Sequence, residues 1–366
     1  MTHTAIPYRL FRGGTSRGPY FLRDDLPKDQ DTLAKVLVAT IGSGHPLNID
    51  GIGGGNAVTT KVAMLSRSED PWADVDYFFA QVSVEDGLVD FKPTCGNILA
   101  GVGPAAIDMG LVPAKDGQTE VKIQAVNTKA RVKAVINTPG GALDFDGSTA
   151  IDGVPGTSAA IQLTFLDVIG STTGALLPSG NLRDDIDGVE VTCMDVAMPM
   201  VIARAADLGV TGYESVEELN DNKDFFARME AVRLEAGKRM GMGDVTESVT
   251  PKFGILAPAR EGGTLAVRYF MPWKTHPTMA VTGAQCVSSC ALTPGTIADG
   301  LLERPTTSPA TIQLEHPTGI IDVVVDYDST NGFDLKAAGL VRTARKIADG
   351  RVYIPSTVWA GPEAEQ

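Results

Sequence analysis

Histidine and cysteine are scarce in this chain, four of each among 366 residues. The histidines, at 3, 45, 276 and 316, have no zinc-ligand spacing with one another or with a cysteine, so no metal is expected. Cys95, Cys193, Cys286 and Cys290 are too few for a disulfide framework. Cys286 and Cys290 lie one helical turn apart in an apolar segment and read as buried free thiols. No apolar run reaches membrane-spanning length, and Met1 to Tyr8 lack the basic patch and apolar core of a signal peptide. A cytoplasmic protein with no membrane partner is the expectation. Basic residues are outnumbered, 31 against 45, for a formal net charge of −14, which argues against nucleic acid as a partner. An anionic small-molecule substrate would therefore require the few cations to be gathered in one place.

The stretch from Lys92 to Ile107 contains a reactive residue type at a special position. After Lys92 there is no charge until Asp108, and the residues between are apolar or small on every face, as in a helix enclosed by its domain. Pro104 should bend or shorten that helix. Cys95 would stand beside its first turn, where N–H groups lack intrahelical partners and the dipole is positive, so the thiol pKa would fall and an anion would be held nearby.

A second charge-free stretch, Thr278 to Leu292, follows the polar turn Trp273-Lys274-Thr275-His276-Pro277. Upstream of each, a polar loop ends in a lysine that enters an apolar run: Thr60-Lys61-Val62-Ala63 in one case, Pro251-Lys252-Phe253-Gly254 in the other. Two buried helices with matching approaches suggest an internal repeat, and 366 residues suffice for two domains with full cores. The division is expected in the glycine-containing stretch 170–187, giving halves 1–184 and 185–366.

Other segments are read by pattern. Residues 26–41 are a surface helix, 74–84 and 121–135 are β-like, and 217–240 is an amphipathic helical region. Val189 to Ile202 reads as strand, loop, strand, like the opening Phe11-Arg12-Gly13-Gly14-Thr15-Ser16-Arg17-Gly18. That opening loop lets N–H groups approach a ligand, with Arg12, Thr15 and Ser16 as further donors; a tight hairpin with solvated arginines fits the same residues. Asp50-Gly51-Ile52-Gly53-Gly54-Gly55-Asn56 matches neither nucleotide fingerprint. Lys61, entering a buried strand, must be paired, snorkelling or functional. The basic run Leu340 to Lys346 reads as a solvated strand edge.

A thiol and an amine facing one ligand can share acid and base work on a carbon acid, with helix-start N–H groups stabilising the enolate. Acyl transfer from Cys95 lacks an assignable His partner.

Several motifs together resemble the PrpF family: Arg12 to Ser16, Ile49 to Gly54, Thr60 to Ala63, Cys95 to Gly103, Ile151 to Gly156, Leu208 to Glu214, Met242 to Val245, Glu315 to Gly319 and Arg342 to Arg345. The resemblance spans nearly the whole chain. That family contains 2-methylaconitate isomerase, 4-oxalomesaconate tautomerase and related double-bond isomerases. It implies an α+β fold like that of diaminopimelate epimerase, two similar β-barrel-like halves each around a central helix, with the site in the cleft between. It further implies Lys61 and Cys95 as the catalytic pair of a cofactor-independent 1,3-proton shift in an unsaturated di- or tricarboxylate. Gly13, Gly14, Asn56, Thr60, Gly96, Asn97, His276 and Thr278 join Arg12, Thr15 and Ser16 as substrate-binding candidates, with Lys252 and Arg268 behind them. His276 reads equally as a structural histidine. The family pattern has a histidine after the proline at Met271-Pro272-Trp273-Lys274, and this chain departs from it there. An amino-acid epimerase and a non-catalytic carboxylate-binding protein are the rival classes, and a homodimer is compatible with all of them.

Overall fold

The computed structural model describes residues 3–92, 94–330 and 332–362; Pro93, inside the Lys92–Ile107 stretch, and the opening Met1 and Thr2 lie outside them. The strands are β1 (His3–Gly13), β2 (Ser16–Leu22), β3 (Lys61–Arg67), β4 (Val75–Val82), β5 (Val89–Asp90), β6 (Gly117–Ala125) and β7 (Arg131–Thr138), then the connecting β8 (Ile161–Leu166). They continue as β9 (Asp184–Ile186), β10 (Val189–Asp195), β11 (Pro199–Arg204), β12 (Lys252–Pro258), β13 (Leu265–Phe270), β14 (Ala310–His316), β15 (Gly319–Asp328), β16 (Asp334–Arg342) and β17 (Ala344–Pro355). Two compact units result, one of Met1–Leu163 with Arg342–Gln366, the other of Thr164–Val341. The expected single boundary at 184/185 is thus replaced by two, because β17 pairs antiparallel with β1 over its whole length, from His3↔Pro355 to Gly13↔Ala344.

The two units repeat one topology. In the first, β17–β1 and β1–β2 are antiparallel, β2–β3 parallel, β3–β4 antiparallel, β4–β6 parallel and β6–β7 antiparallel. In the second, β9–β10 and β10–β11 are antiparallel, β11–β12 parallel, β12–β13 antiparallel, β13–β14 parallel and β14–β15 antiparallel. Each parallel step needs a crossover, and the helices supply it. Lys61 and Lys252 are both the first residue of the strand that follows the first crossover, so the loose correspondence in sequence is a topological one.

One outer helix covers each sheet. In the first unit α1 (Gln30–Ile41) is capped by the Asp29 side chain, which accepts from Thr32 N–H at 2.8 Å, and ended by Gly42 at φ 76°. Its Leu33, Val36, Leu37 and Ile41 pack on Phe21, Val62, Met64, Ala80 and Val82. The amphipathic region 217–240 is interrupted: α4 (Val216–Asp221) stops where Asn222 caps α5 (Lys223–Arg239), accepting from Phe225 N–H at 3.0 Å. Phe225, Met229, Val232 and Ala236 of α5 then pack on Val201, Ala203, Phe253 and Ile255.

The central helices lie against the opposite sheet faces. In the second unit α6 (Val281–Leu292) is buried from Gly283 onward and touches β10, β11, β14 and β15, strands at opposite ends of that ladder, so the sheet curls around it. Its counterpart in the first unit is split in two, α2 (Gly96–Leu99) and α3 (Val102–Asp108), which between them touch β1, β2, β3, β6 and β7. Between them Ala100 and Gly101 N–H bond three residues back, to Asn97 and Ile98. The α pattern resumes with Ala105 N–H to Gly101 O, and Pro104 falls in the first turn of α3, where its missing N–H costs nothing. No helix among the described residues is long and apolar enough to cross a membrane.

Candidate active site

Two loops of the first unit meet at the start of α2. Asn97 Nδ2 donates to Thr15 Oγ1 at 3.0 Å, and Thr15 N–H donates to Asn97 Oδ1 at 3.4 Å. Gly14 has φ +51°, and a Cβ there would stand 2.1 Å from Asn97 Oδ1, so only glycine allows this approach. Arg12 holds the loop from behind: Nη1 donates to the carbonyls of Gly14 and Thr343 and to Thr343 Oγ1, and Nη2 to Ser158 Oγ. Its role is to shape the loop, and Thr15 is the exposed residue of the group.

Lys61 is positioned by its strand partners. Nζ donates to Gln81 Oε1 at 2.6 Å and lies 5.5 Å from the centroid of the Phe79 ring. Gln81 Nε2 donates to Ala57 O, Thr60 Oγ1 and Val82 O, which fixes the amide so that its oxygen must face the lysine. Thr60, fully buried, is therefore a support for Gln81, and its own hydroxyl donates to Val82 O. Gly18 lets β2 pass close to the backbone here, since a Cβ would fall 1.7 Å from Lys61 O. Lys61, Ala63 and Leu65 share the face of Gln81, Phe79 and Tyr77, their direct partners across the β3–β4 ladder.

That face leads to Cys95. Tyr77 and Phe79 rings lie 6.3 Å apart, and the Tyr77 hydroxyl donates to Cys95 O at 3.3 Å. The buried Tyr20 hydroxyl donates to Ile98 O at 2.5 Å in the same short helix. Burial first, and then the neighbouring Cys95, push both phenol pKa values well above the ordinary value, so both hydroxyls stay donors. Cys95 is the N-cap of α2, half-buried, with no capping bond from its side chain. Intrahelical bonding begins with Leu99 N–H to Cys95 O at 2.9 Å, leaving the N–H groups of Gly96 and Asn97 ahead of the ladder.

In the second unit the polar turn before α6 is built around His276. Thr278 N–H donates to Nδ1 at 3.0 Å, so a neutral ring carries its proton on Nε2. The ring meets Tyr269 edge-on at 5.6 Å. Burial, reinforced by Lys252, lowers the His276 pKa, while burial and then Arg233 lower that of Lys252. Arg268 does not join them. It faces the α5 side with Phe270, its Nε donating to Glu214 O at 2.9 Å and Nη1 to Val267 O, which makes it a buried structural cation. The N-cap of α6 is Ala280, so the position that Cys95 occupies on α2 has no thiol here.

The PrpF protein family model matches residues 3–355. The chain belongs to this family. It is 46% identical over 363 residues to the 4-oxalomesaconate tautomerase of Pseudomonas putida, covering 99% of this chain and 100% of the relative. The crystal structure of a methylitaconate-delta-isomerase superposes with a TM-score of 0.90 at 34% identity, over 98% of this chain and 97% of that one. A hydroxyproline epimerase from Agrobacterium vitis superposes at 0.51 with 12% identity, covering 100% of this chain and 99% of that one, which bears on the fold alone. The chain is an isomerase with the α+β, diaminopimelate epimerase-like fold.

The glycine-rich loop before Asn56 is organised by buried Asn48, whose Nδ2 donates to Gly42, His45 and Val84 carbonyls and whose Oδ1 accepts Gly55 N–H. Asn56 itself closes a turn, its Oδ1 accepting Val58 N–H. Burial pushes the Cys193 and Cys290 thiols up to about 12 and raises Cys286 as well. Gln81 and Tyr77 were not foreseen from sequence; their only signal is a polar residue ending the otherwise aromatic 77, 79, 81 face of an alternating strand.

Proposed function

We propose that this isomerase moves a carbon–carbon double bond by a 1,3-proton shift in an unsaturated di- or tricarboxylate of the 4-oxalomesaconate type. The Lys61 amine takes an allylic proton from the substrate. The electron pair left behind spreads into a conjugated carboxylate or keto group, whose oxygen accepts from the N–H groups of Gly96 and Asn97. A proton then returns to the far end of the allyl unit from the Lys61 ammonium or the Cys95 thiol, and no electrons are gained or lost overall. The observation that carries this reading is the Lys61–Gln81 hydrogen bond over Phe79, on the sheet face whose Tyr77 binds Cys95 O. The choice of substrate rests on similarity to the tautomerase. An alanine at the α6 start, where a two-thiol epimerase would place its second cysteine, favours double-bond migration over epimerisation.

Proton NMR in deuterated water tests the proposal, with 4-oxalomesaconate, 2-methylaconitate, the aconitates and diaminopimelate presented to the wild type, Lys61→Ala and Cys95→Ala. Double-bond migration with deuterium at an allylic carbon, reduced to a small residual rate in Lys61→Ala, is the expected result. Full turnover in Lys61→Ala would refute the assignment of the base. Exchange only at the α-carbon of diaminopimelate would replace the isomerase reading with epimerisation.

A further inference from the structure

The chain has far more acidic than basic residues, yet three arginines stand side by side in the first unit. Across the β2–β1–β17 ladder Arg17 is directly opposite Arg12, and Arg12 directly opposite Arg345. Directly opposed residues project from the same face, and like charges so placed repel. The neighbouring positions point the other way: Tyr20 reaches Ile98 on α2, and Lys346 reaches Asp108 at the end of α3. The arginine row therefore lies on the sheet face opposite to Lys61 and Cys95.

None of the ion pairs among the described residues includes Arg12, Arg17 or Arg345. Arg12 bonds only neutral acceptors. The Nε of Arg17 is buried without a hydrogen-bond partner, and its Nη2 lies over Gly54, 2.7 Å from where a Cβ would be. Arg345 is exposed. A buried donor on a permanent cation, left unpaired in a row of like charges, is a cost that an anion would remove.

We propose that this row is a second anion site, separate from the Lys61–Cys95 centre, which takes a small polycarboxylate. Two interstrand spacings separate the backbones of Arg17 and Arg345, roughly 9–10 Å, so an anion with charges at its two ends spans the row better than a compact one. Guanidinium forks pair with carboxylates bidentately; among the described residues no ion pair engages those of Arg17 and Arg345, of which Arg345 is exposed and Arg17 half-buried, while Arg12 holds the centre of charge between them. The site does not depend on which reaction the isomerase catalyses.

Isothermal titration with citrate, a saturated tricarboxylate without a double bond to move, tests it at fixed ionic strength. The wild type, Arg17→Gln, Arg345→Gln and Lys61→Ala are compared, with inorganic phosphate as the compact control. Citrate is expected to bind the wild type and Lys61→Ala alike, and to bind each arginine variant about tenfold or more weakly. Arg345→Gln alters an exposed side chain, so it reads the site even if Arg17→Gln perturbs folding. Absence of citrate binding to the wild type, unchanged affinity in Arg345→Gln, or loss only in Lys61→Ala would overturn the proposal. Phosphate binding as tightly as citrate would overturn the polycarboxylate assignment.

Discussion

Gln81 is the residue through which the proposed base can be tested without removing it. Its amide is locked by three acceptors around Nε2, so Oε1 is presented to Lys61 Nζ at 2.6 Å. Gln81→Leu keeps much of the side-chain volume and removes both halves of that arrangement. As the amine takes up the proton it becomes an ammonium, and a hydrogen bond to a charged group is worth roughly 1.5–3 kcal/mol. If most of that orients the amine in the transition state, kcat falls by about 10- to 100-fold, at ~1.4 kcal/mol per decade. KM should change little, because the amide oxygen is engaged by the lysine and its nitrogen by Ala57, Thr60 and Val82.

Stability should fall far less than activity. Val82 O retains the Thr60 hydroxyl at 2.7 Å, so the acceptors left behind amount to roughly 1–2 kcal/mol. The deciding assay is a double-mutant cycle for kcat/KM with Lys61→Ala, followed by NMR. If Gln81 acts through Lys61, adding Gln81→Leu to Lys61→Ala costs nothing further. Additive losses, or an unchanged kcat in Gln81→Leu alone, would refute the positioning argument.

Two further outcomes follow from burial and charge. Cys95 is the one half-buried thiol, while Cys193, Cys286 and Cys290 are buried with raised pKa values. A thiol reagent should therefore titrate one fast group in the native protein, missing in Cys95→Ala, and four in denaturant; two or more fast groups in the native state would contradict this. Asp108 joins β1 and β17 to α3, accepting from Arg9 Nε at 2.6 Å and Lys346 Nζ at 2.8 Å. Its partial burial works the other way, but Lys346 and then Arg9 hold its carboxyl below the ordinary range. A depressed carboxylate stabilises fully above its unfolded pKa of about 3.9 and loses that contribution as the pH falls below it. Asp108→Asn should accordingly lower Tm near neutrality and flatten its decline in acid, and an acid limb as steep as that of the wild type would count against the bridge.

What the sequence revealed was whatever depends on local pattern. The charge-free stretches announced central helices, because a helix buried on all sides cannot carry charge, and the two lysines announced the repeat because each opens the same strand. Hidden from it was whatever depends on register. Gln81 meets Lys61 only because β3 and β4 pair Lys61↔Gln81, and the arginine row exists only because β17 returns to β1 with Arg12 opposite Arg345. The break between α2 and α3 was half legible: Pro104 signalled an interruption, but the three-residue bonds at Ala100 and Gly101 set its place. Arg268 misled because its strand position is right for a site on the α6 side while its face is wrong by one residue.

The repeat also says something about the chemistry through what it failed to preserve. Both units keep a lysine at the same strand start, and the residue two places on faces an aromatic partner across the ladder, Ala63↔Phe79 in one and Gly254↔Tyr269 in the other. Only the first unit has a thiol at the helix start and a glutamine amide on the lysine; the second has Ala280, and its Lys252 lies near Arg233 and His276 instead. Inversion at one carbon interconverts mirror-related states of that centre, so like acid–base groups on its two sides serve both directions. A 1,3-shift interconverts two different molecules, and its proton leaves and returns on different carbons. Nothing in that reaction asks for matched groups, so the loss of symmetry between Cys95 and Ala280 is what double-bond migration permits and two-thiol epimerisation does not.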